Sequence, residues 1–312
     1  MAQILTAYNQ IDNNKRKTWV LMLFFTTFVV AVAFVLTRAL GYDNPTALGF
    51  TGIFLIIAGV MNFASYYWSD KIILALSAAT PVDEKNNREL YRVVENLCIA
   101  AGLPKPKIYT IEDSAPNAFA TGRDPKHAVL CFTTGILQKL DKLELEGVAA
   151  HELSHVGNYD TRLMAVVTIL VGLVALLADV FFRMTWLGQH RNNDERNGVG
   201  AILFVVGIIL ALLSPLIAQV IQLAISRRRE FLADSSGVLL TRYPEGLAKA
   251  LLKISGDKEP LEVANKGTAH LYIVNPLKGG HGGGVGWFAS LFNTHPPIEE
   301  RVKALRAMEV GQ

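Results

Sequence analysis

Charge and cysteine are scarce in this 312-residue sequence. Charged residues make up 18% of the chain, four long stretches hold almost none of them, and the formal net charge is only +3. A net charge this small for the length gives no indication of a nucleic-acid partner. The two cysteines, Cys98 and Cys131, lie in apolar surroundings and form no CxxC pair. This argues against a disulfide or a cysteine metal site and favours buried thiols in a reducing compartment.

What the sequence has in excess is apolar residues, arranged in long blocks. They make up 51% of the chain, and the mean hydropathy of +0.30 is high for a soluble domain. The blocks cover residues 19–37, 46–69, 163–182 and 199–225. At a rise of about 1.5 Å per residue, each can cross a hydrocarbon core of about 30 Å. We therefore predict four transmembrane helices.

Basic residues predict how these helices are oriented. Lys15, Arg16 and Lys17 precede the first block, only Arg38 follows it, and Lys71 follows the second block. Because basic flanks stay in the cytoplasm, the N-terminus and the residues after position 70 are expected there. A cleaved signal peptide is the alternative for the first block. Its length and the second block soon afterwards favour an uncleaved anchor.

The sequence divides into an N-terminal part and a split domain. Residues 1–70 hold a tail and two membrane helices, and residues 161–225 form a membrane hairpin inserted into a domain made of residues 71–160 and 226–312. Short strands are expected at KIYTI and AVLCF, around a small extended segment. Helices are expected before Gly102, from Asp141 onwards and at PEGLAKALLKISG. The fold class is therefore a mostly α membrane protein with an α+β domain that contains a small sheet.

One helical segment, AAHELSHVGNYD, has the pattern of a metal site. His151 and His155 are four residues apart, so their side chains share one face of the helix. Two imidazoles at this spacing can bind one Zn²⁺ ion. Glu152 points away from that face, but it can take a proton from a water bound to the metal. The alternative is a surface helix that carries two histidines by chance.

A catalytic zinc site needs a third protein ligand, and Glu230 is the candidate. Glu230 and Asp234 in REFLAD are also four residues apart. One carboxylate can bind the metal while the other accepts a hydrogen bond from a ligand histidine. Taken alone, the pair could equally be a solvated acidic face beside Arg227–Arg229.

Four motifs, AAHELSHVGNYD, SRRREFLAD, NAFATGR and THPPIEERV, with apolar blocks among them, resemble the HtpX family of membrane zinc metalloproteases, which is related to the CAAX prenyl proteases. NAFATGR precedes the histidine motif in the chain, and the resemblance covers essentially the whole sequence. It implies a zincin-like catalytic domain and one Zn²⁺ held by His151, His155 and Glu230. It also implies Glu152 as catalytic base, with Asp234 supporting a ligand.

The resemblance implies further site residues. The segment Asn117, Ala118, Phe119, Ala120, Thr121 and Gly122 resembles the strand edge that binds an extended peptide; the alternative is an ordinary edge strand. His295 and Arg301 match a histidine and an arginine near the zinc, and His295 could donate a hydrogen bond to the oxyanion. His281 is more easily explained as a solvated residue.

The function expected from this resemblance is endoproteolysis at the bacterial cytoplasmic membrane. The substrates would be polypeptides, chiefly misfolded membrane proteins cleaved in cytoplasmic segments, in protein quality control and the stress response. A CAAX-type processing protease is one alternative, disfavoured because that architecture has more membrane helices. A non-catalytic membrane scaffold with a structural zinc is another, disfavoured by the presence of Glu152.

Overall fold

The structure is a computed structural model that describes residues 7–39, 42–85, 87–170, 227–257, 259–262, 268, 271–274 and 296–309. Residues 160–170 are helical and are called α7. The other helices are α1 (Ala7–Ala39), α2 (Asn44–Tyr67), α3 (Ser69–Leu76), α4 (Arg88–Ala101), α5 (Thr134–Lys139), α6 (Lys142–Gly157), α8 (Arg227–Thr241), α9 (Pro244–Gly256) and α10 (Ile298–Glu309). The strands are β1 (Thr80–Pro81), β2 (Lys107–Ile111), β3 (Ala118–Thr121) and β4 (Val129–Thr133). The predicted mostly helical fold with a small sheet is confirmed.

Two helices, α1 and α2, are long and apolar enough to cross a membrane. Their segments Gln10–Val35 and Asn44–Tyr67 have mean hydropathies of 2.3 and 2.0. Only 22% and 17% of their most apolar windows are buried within the protein, unlike the core helix of a soluble protein. The helices pack together, and Asn62 of α2 donates hydrogen bonds to the carbonyl of Met22 (3.1 Å) and to Thr26 Oγ1 (2.7 Å). These helices correspond to the first two predicted membrane helices.

The third and fourth predicted membrane helices fall largely outside the described residues. Residues 163–170, the start of the third, are helical and mostly buried, and Val166 and Leu170 pack against Met22 and Phe25 of α1. The rest of the third helix and all of the fourth, residues 199–225, lie outside the part that the structure describes.

The small sheet has the strand order β1-β2-β4-β3. β2 and β4 are parallel, with Lys107 opposite Val129, whereas β3 runs antiparallel to β4, with Ala118 opposite Phe132. β3 is therefore the last strand of the sheet. It contacts α6, so the sheet presents this strand to the helix that carries the two histidines.

Helix α6 is the centre of the domain. It begins where predicted, after Asp141, with a capping box: Asp141 accepts a hydrogen bond from Glu144 N (3.0 Å), and Glu144 accepts one from Asp141 N (2.9 Å). Two glycines let other helices approach closely. A Cβ on Gly147 would lie 2.7 Å from the backbone nitrogen of Leu247 in α9, and one on Gly237 of α8 would lie 3.1 Å from that of His151. Helix α8, which carries Glu230 and Asp234, therefore packs closely against α6.

Candidate metal centre

The two histidines of α6 point into the protein. His151 and His155 are 1% and 6% exposed. Their Nε2 atoms face each other at 3.2 Å. Two ligands at 2.0–2.1 Å from a tetrahedral ion would be separated by about 3.3 Å. The spacing of the imidazoles therefore fits a shared metal ion.

The third predicted ligand meets this pair from α8. Glu230 Oε2 lies 3.7 Å from His151 Nε2, and Glu230 Oε1 lies 3.6 Å from His155 Nε2. The candidate donor atoms of these three residues all lie within 4.8 Å of one another, and all three side chains are buried. Glu230 thus joins two histidines that precede it by 75 and 79 positions in one compact group.

The outer nitrogens of both imidazoles meet carboxylates. His151 Nδ1 lies 2.9 Å from Asp234 Oδ1, and His155 Nδ1 lies 3.1 Å from Asp160 Oδ2. A carboxylate accepts the Nδ1 proton, which leaves the Nε2 lone pair free to bind a metal. Although burial alone would lower the pKa of His155, the hydrogen bond to Asp160 and the nearby Glu230 raise it to about 9.

Arg301 of α10 contacts both the candidate ligand Glu230 and the carboxylate of Asp234. Its guanidinium binds Asp234 through two hydrogen bonds, from Nε to Oδ2 (2.9 Å) and from Nη2 to Oδ1 (2.7 Å), and its Nη1 lies 3.5 Å from Glu230 Oε2. The side chain is fully buried. Burial opposes ionisation of Asp234, but the charge of Arg301 and the hydrogen bond to His151 hold the pKa of Asp234 below its ordinary value.

The charge balance of the site suits a divalent cation. Glu152 and the buried charged side chains that pair with the histidines, or with the carboxylates bound to them, carry, when all are ionised, two more negative than positive charges. The carboxylates are Glu152, Asp160, Glu230 and Asp234, and the guanidiniums are Arg229 and Arg301. Because an uncompensated buried charge is unfavourable, a 2+ ion fits this set of residues.

Glu152 lies beside the candidate ligands in a small cavity. It is 3% exposed and lines the cavity together with the two histidines and Glu230. Burial raises the pKa of the Glu152 carboxyl, and the charges of His151 and His155 oppose that shift. A carboxylate with a raised pKa accepts a proton more readily, which suits a general base.

The predicted substrate edge is buried along its whole length, from Asn117 to Gly122. A segment formed by residues 271–274 lies along its first part: Ile273 N donates to Ala118 O (3.0 Å), and Asn117 Nδ2 donates to Val274 O (2.9 Å). The ring of Phe119 meets Tyr272 with the centroids 5.2 Å apart.

The second part of this edge reaches the cavity. Ala120 lines it, and so do four further side chains that are not metal ligands: Thr161, Met164, Leu271 and Ile273. Thr121 is fully buried. The strand therefore lies next to the two histidines at Ala120, and its first residues are covered by residues 271–274.

One predicted site residue lies outside the described residues, and one site residue of the structure was not predicted. His295 and His281 lie outside the described residues, so the hydrogen bond of His295 to an oxyanion stays a prediction. Asp160 was not predicted as a site residue, although it follows His155 by only five positions. The break in helix at Asn158 and Tyr159 turns Asp160 back towards the imidazole, and a helical periodicity gives no sign of that turn.

Comparison with known proteins connects this geometry to a family. Residues 84–309 match the model of Peptidase family M48. A protease HtpX homolog of Dictyoglomus thermophilum is 44% identical over 303 residues, covering 97% of this chain and 95% of that protein. Those of Caldanaerobacter subterraneus and Tropheryma whipplei are 42% and 41% identical, over 98% and 96% of this chain and 99% and 98% of those proteins.

Among solved structures, the crystal structure of S. mikatae Ste24p is similar with a TM-score of 0.47 and 16% identity, covering 96% of this chain and 67% of that one.

The matched range, residues 84–309, spans the two histidines, Glu230, Asp234 and Arg301, which the structure brings together in one buried group. The relatives match over nearly their full length and are proteases. The chain therefore belongs to peptidase family M48 and is a membrane metalloprotease of the HtpX type.

Proposed function

We propose that this protein is a zinc-dependent endopeptidase of the bacterial inner membrane that cleaves cytoplasmic segments of membrane proteins. The observation that carries the proposal is the convergence of two imidazole Nε2 atoms, 3.2 Å apart, with the carboxylate of Glu230. Nitrogen and oxygen donors in this number are typical of catalytic zinc sites, which keep a fourth position for water or substrate.

His151, His155 and Glu230 would hold the zinc ion, which when bound polarises the scissile carbonyl and acidifies water. Asp234 and Asp160 hold the imidazoles in the tautomer that leaves Nε2 able to bind. Arg301 binds Asp234 and approaches Glu230, so we assign it a positioning role behind the ligands.

Glu152 would act as general base and then as general acid. It takes a proton from the attacking water and returns it to the amine that leaves when the peptide bond breaks. Its burial in the cavity beside the histidines supports this role, because a raised pKa favours transient protonation.

The peptide would lie along β3 as an added strand. Alternate residues of an antiparallel strand direct their backbone groups to the same edge, so Ala120 faces the edge on which Ala118 already binds Ile273. We therefore place peptide pairing at Ala120 to Gly122, where the small side chain of Ala120 leaves room beside the metal ligands. We assign to Asn117 and Ala118 the role of holding residues 271–274 through their hydrogen bonds to that segment.

The contacts of α1 support a cytoplasmic active site. Asn14, next to the basic residues 15–17, donates a hydrogen bond to Asp160 beside His155. The site thus lies at the basic end of α1. Because basic flanks stay in the cytoplasm, we place both at the inner face of the membrane.

The test is a comparison of Glu152→Gln with Glu146→Gln in purified full-length protein. Both changes convert a carboxylate of α6 to an amide, but Glu146 is half-exposed and does not line the cavity. Glu152→Gln should retain zinc and lose about 10²–10⁴-fold of the turnover of an unfolded membrane-protein substrate. Glu146→Gln should behave as wild type. Full activity of Glu152→Gln would refute the assignment, and cleavage confined to a prenylated peptide would favour the CAAX-type alternative.

A further inference from the structure

The start of the first membrane helix reaches into the metal centre. Asn14 of α1 is 1% exposed. Its Nδ2 donates to Asp160 Oδ1 (2.7 Å) and to the carbonyl of Asn158 (2.9 Å). These partners are 144 and 146 positions away in the sequence, so the contacts join α1 to the turn that follows the histidine helix.

Asp160 is shared between α1 and a candidate metal ligand. Its Oδ2 lies 3.1 Å from His155 Nδ1, while Oδ1 accepts from Asn14 and, at 3.2 Å, from Arg229 Nη1 of α8. Arg229 Nη1 also lies 3.5 Å from Asn14 Oδ1. Asp160 is 1% exposed, so donors from three helices fix the direction of its carboxylate.

The turn that carries Asp160 has a backbone that needs outside support. Tyr159 has a φ of 60°, which non-glycine residues seldom adopt. Lys15 of α1 lies over the Tyr159 ring, 4.6 Å from its centroid, and Arg162 lies over the same ring at 4.7 Å. Two adjacent residues of α1 thus hold both the backbone and the side chain of this turn.

We propose that α1 is a structural part of the metal centre: Asn14 positions Asp160, and Asp160 positions His155 for metal binding. The inference rests on the proposed metal site. The inference goes beyond that site, because Asn14 lies outside residues 84–309, the part that matches the peptidase family model. A hydrogen-bonded carboxylate behind a ligand histidine fixes the ring and its tautomer, and the loss of such a partner typically weakens metal binding by about 10–100-fold. Metal affinity therefore depends on α1 staying in contact with the domain.

The experiment measures Zn²⁺ affinity of full-length protein in detergent by competition with a chromophoric chelator. Asp160→Asn should bind zinc about 10–100-fold more weakly, and Asn14→Ala, one step further from the metal, by roughly 3–10-fold. The matched control is Asn62→Ala, because Asn62 is a buried asparagine of α2 whose side chain donates to Met22 and Thr26 of α1 rather than to a site residue. It should bind within about twofold of wild type.

A second measurement separates positioning from general loss of structure. Co²⁺ bound in place of zinc reports ligand geometry through its visible absorption. Asn14→Ala and Asp160→Asn should shift that spectrum, whereas Asn62→Ala should not. Thermal unfolding with chelator present identifies variants that have lost the fold.

The outcomes separate this inference from the proposed function. Wild-type affinity and an unchanged Co²⁺ spectrum in Asn14→Ala would overturn the role of α1, and so would an equal effect of Asn62→Ala. If wild-type protein binds no zinc, the proposed metal site itself fails. If it binds zinc without cleaving protein, only the proposed activity fails.

Discussion

Replacement of Arg301 should destabilise the protein far more than replacement of Arg306 on the same helix. Each arginine binds a carboxylate through two nitrogens: Arg301 binds Asp234 at 2.9 and 2.7 Å, and Arg306 binds Glu245 at 3.1 and 3.0 Å. The pairs differ in burial. Both side chains of the first are at most 1% exposed, whereas those of the second are 51% and 18% exposed.

Burial sets the size of the two effects. Arg301→Met leaves the charge of Asp234 buried without its guanidinium, which should lower the free energy of unfolding by about 3–5 kcal/mol. For a domain of this size that corresponds to a fall in Tm of roughly 6–20 °C. Arg306→Met removes a solvent-screened pair, which should lower it by about 0–1 kcal/mol.

Thermal unfolding of full-length protein with chelator present measures both effects without a contribution from bound metal. A double-mutant cycle adds Asp234→Asn, and the double variant Asp234→Asn/Arg301→Met should be less destabilised than the sum of the single changes. Equal Tm values for Arg301→Met and Arg306→Met, or strict additivity in the cycle, would refute the argument that Arg301 compensates a buried charge.

Two further predictions concern pH and packing. Because the pKa of His155 is raised to about 9 and only the neutral imidazole binds metal, zinc affinity should fall on acidification below that value, by up to about tenfold per pH unit. Chelator competition across the neutral range checks this, and an affinity independent of pH would contradict it. Gly147→Ala should lower the free energy of unfolding by about 1–3 kcal/mol, since its Cβ would lie 2.7 Å from Leu247 N. Gly157→Ala, whose Cβ would lie 3.6 Å from its nearest neighbour, is the control and should be neutral or slightly stabilising in the same unfolding measurement.

The local elements of the domain were predictable because their signals are local. α9 has the predicted bounds, Pro244–Gly256, and β2 those of the KIYTI segment. Gly102 ends α4 in the left-handed conformation that glycine adopts without strain. The histidine spacing in α6 likewise follows from helical geometry alone. Both cysteines are buried and free, as expected.

The parts that the sequence concealed depend on contacts between distant segments. The helix α1 includes residues well before the apolar block, and one of these, the polar Asn14, finds a partner in Asp160, beside the histidine helix. Glu230 is indistinguishable from a solvated acid without either the family resemblance or the fold. The pairing of residues 271–274 with β3 had no signal in strand periodicity. A hydrogen bond such as that between Asn14 and Asp160, 146 positions apart, leaves no trace in local spacing.

The most direct test of the metal centre is zinc K-edge X-ray absorption of the purified full-length protein. We expect one zinc per chain with two imidazole ligands and otherwise oxygen ligands, at about 2.0–2.1 Å. Glu230→Ala should change the oxygen coordination and weaken binding. Sulfur scattering at about 2.3 Å, or a zinc with fewer than two imidazoles, would contradict this expectation.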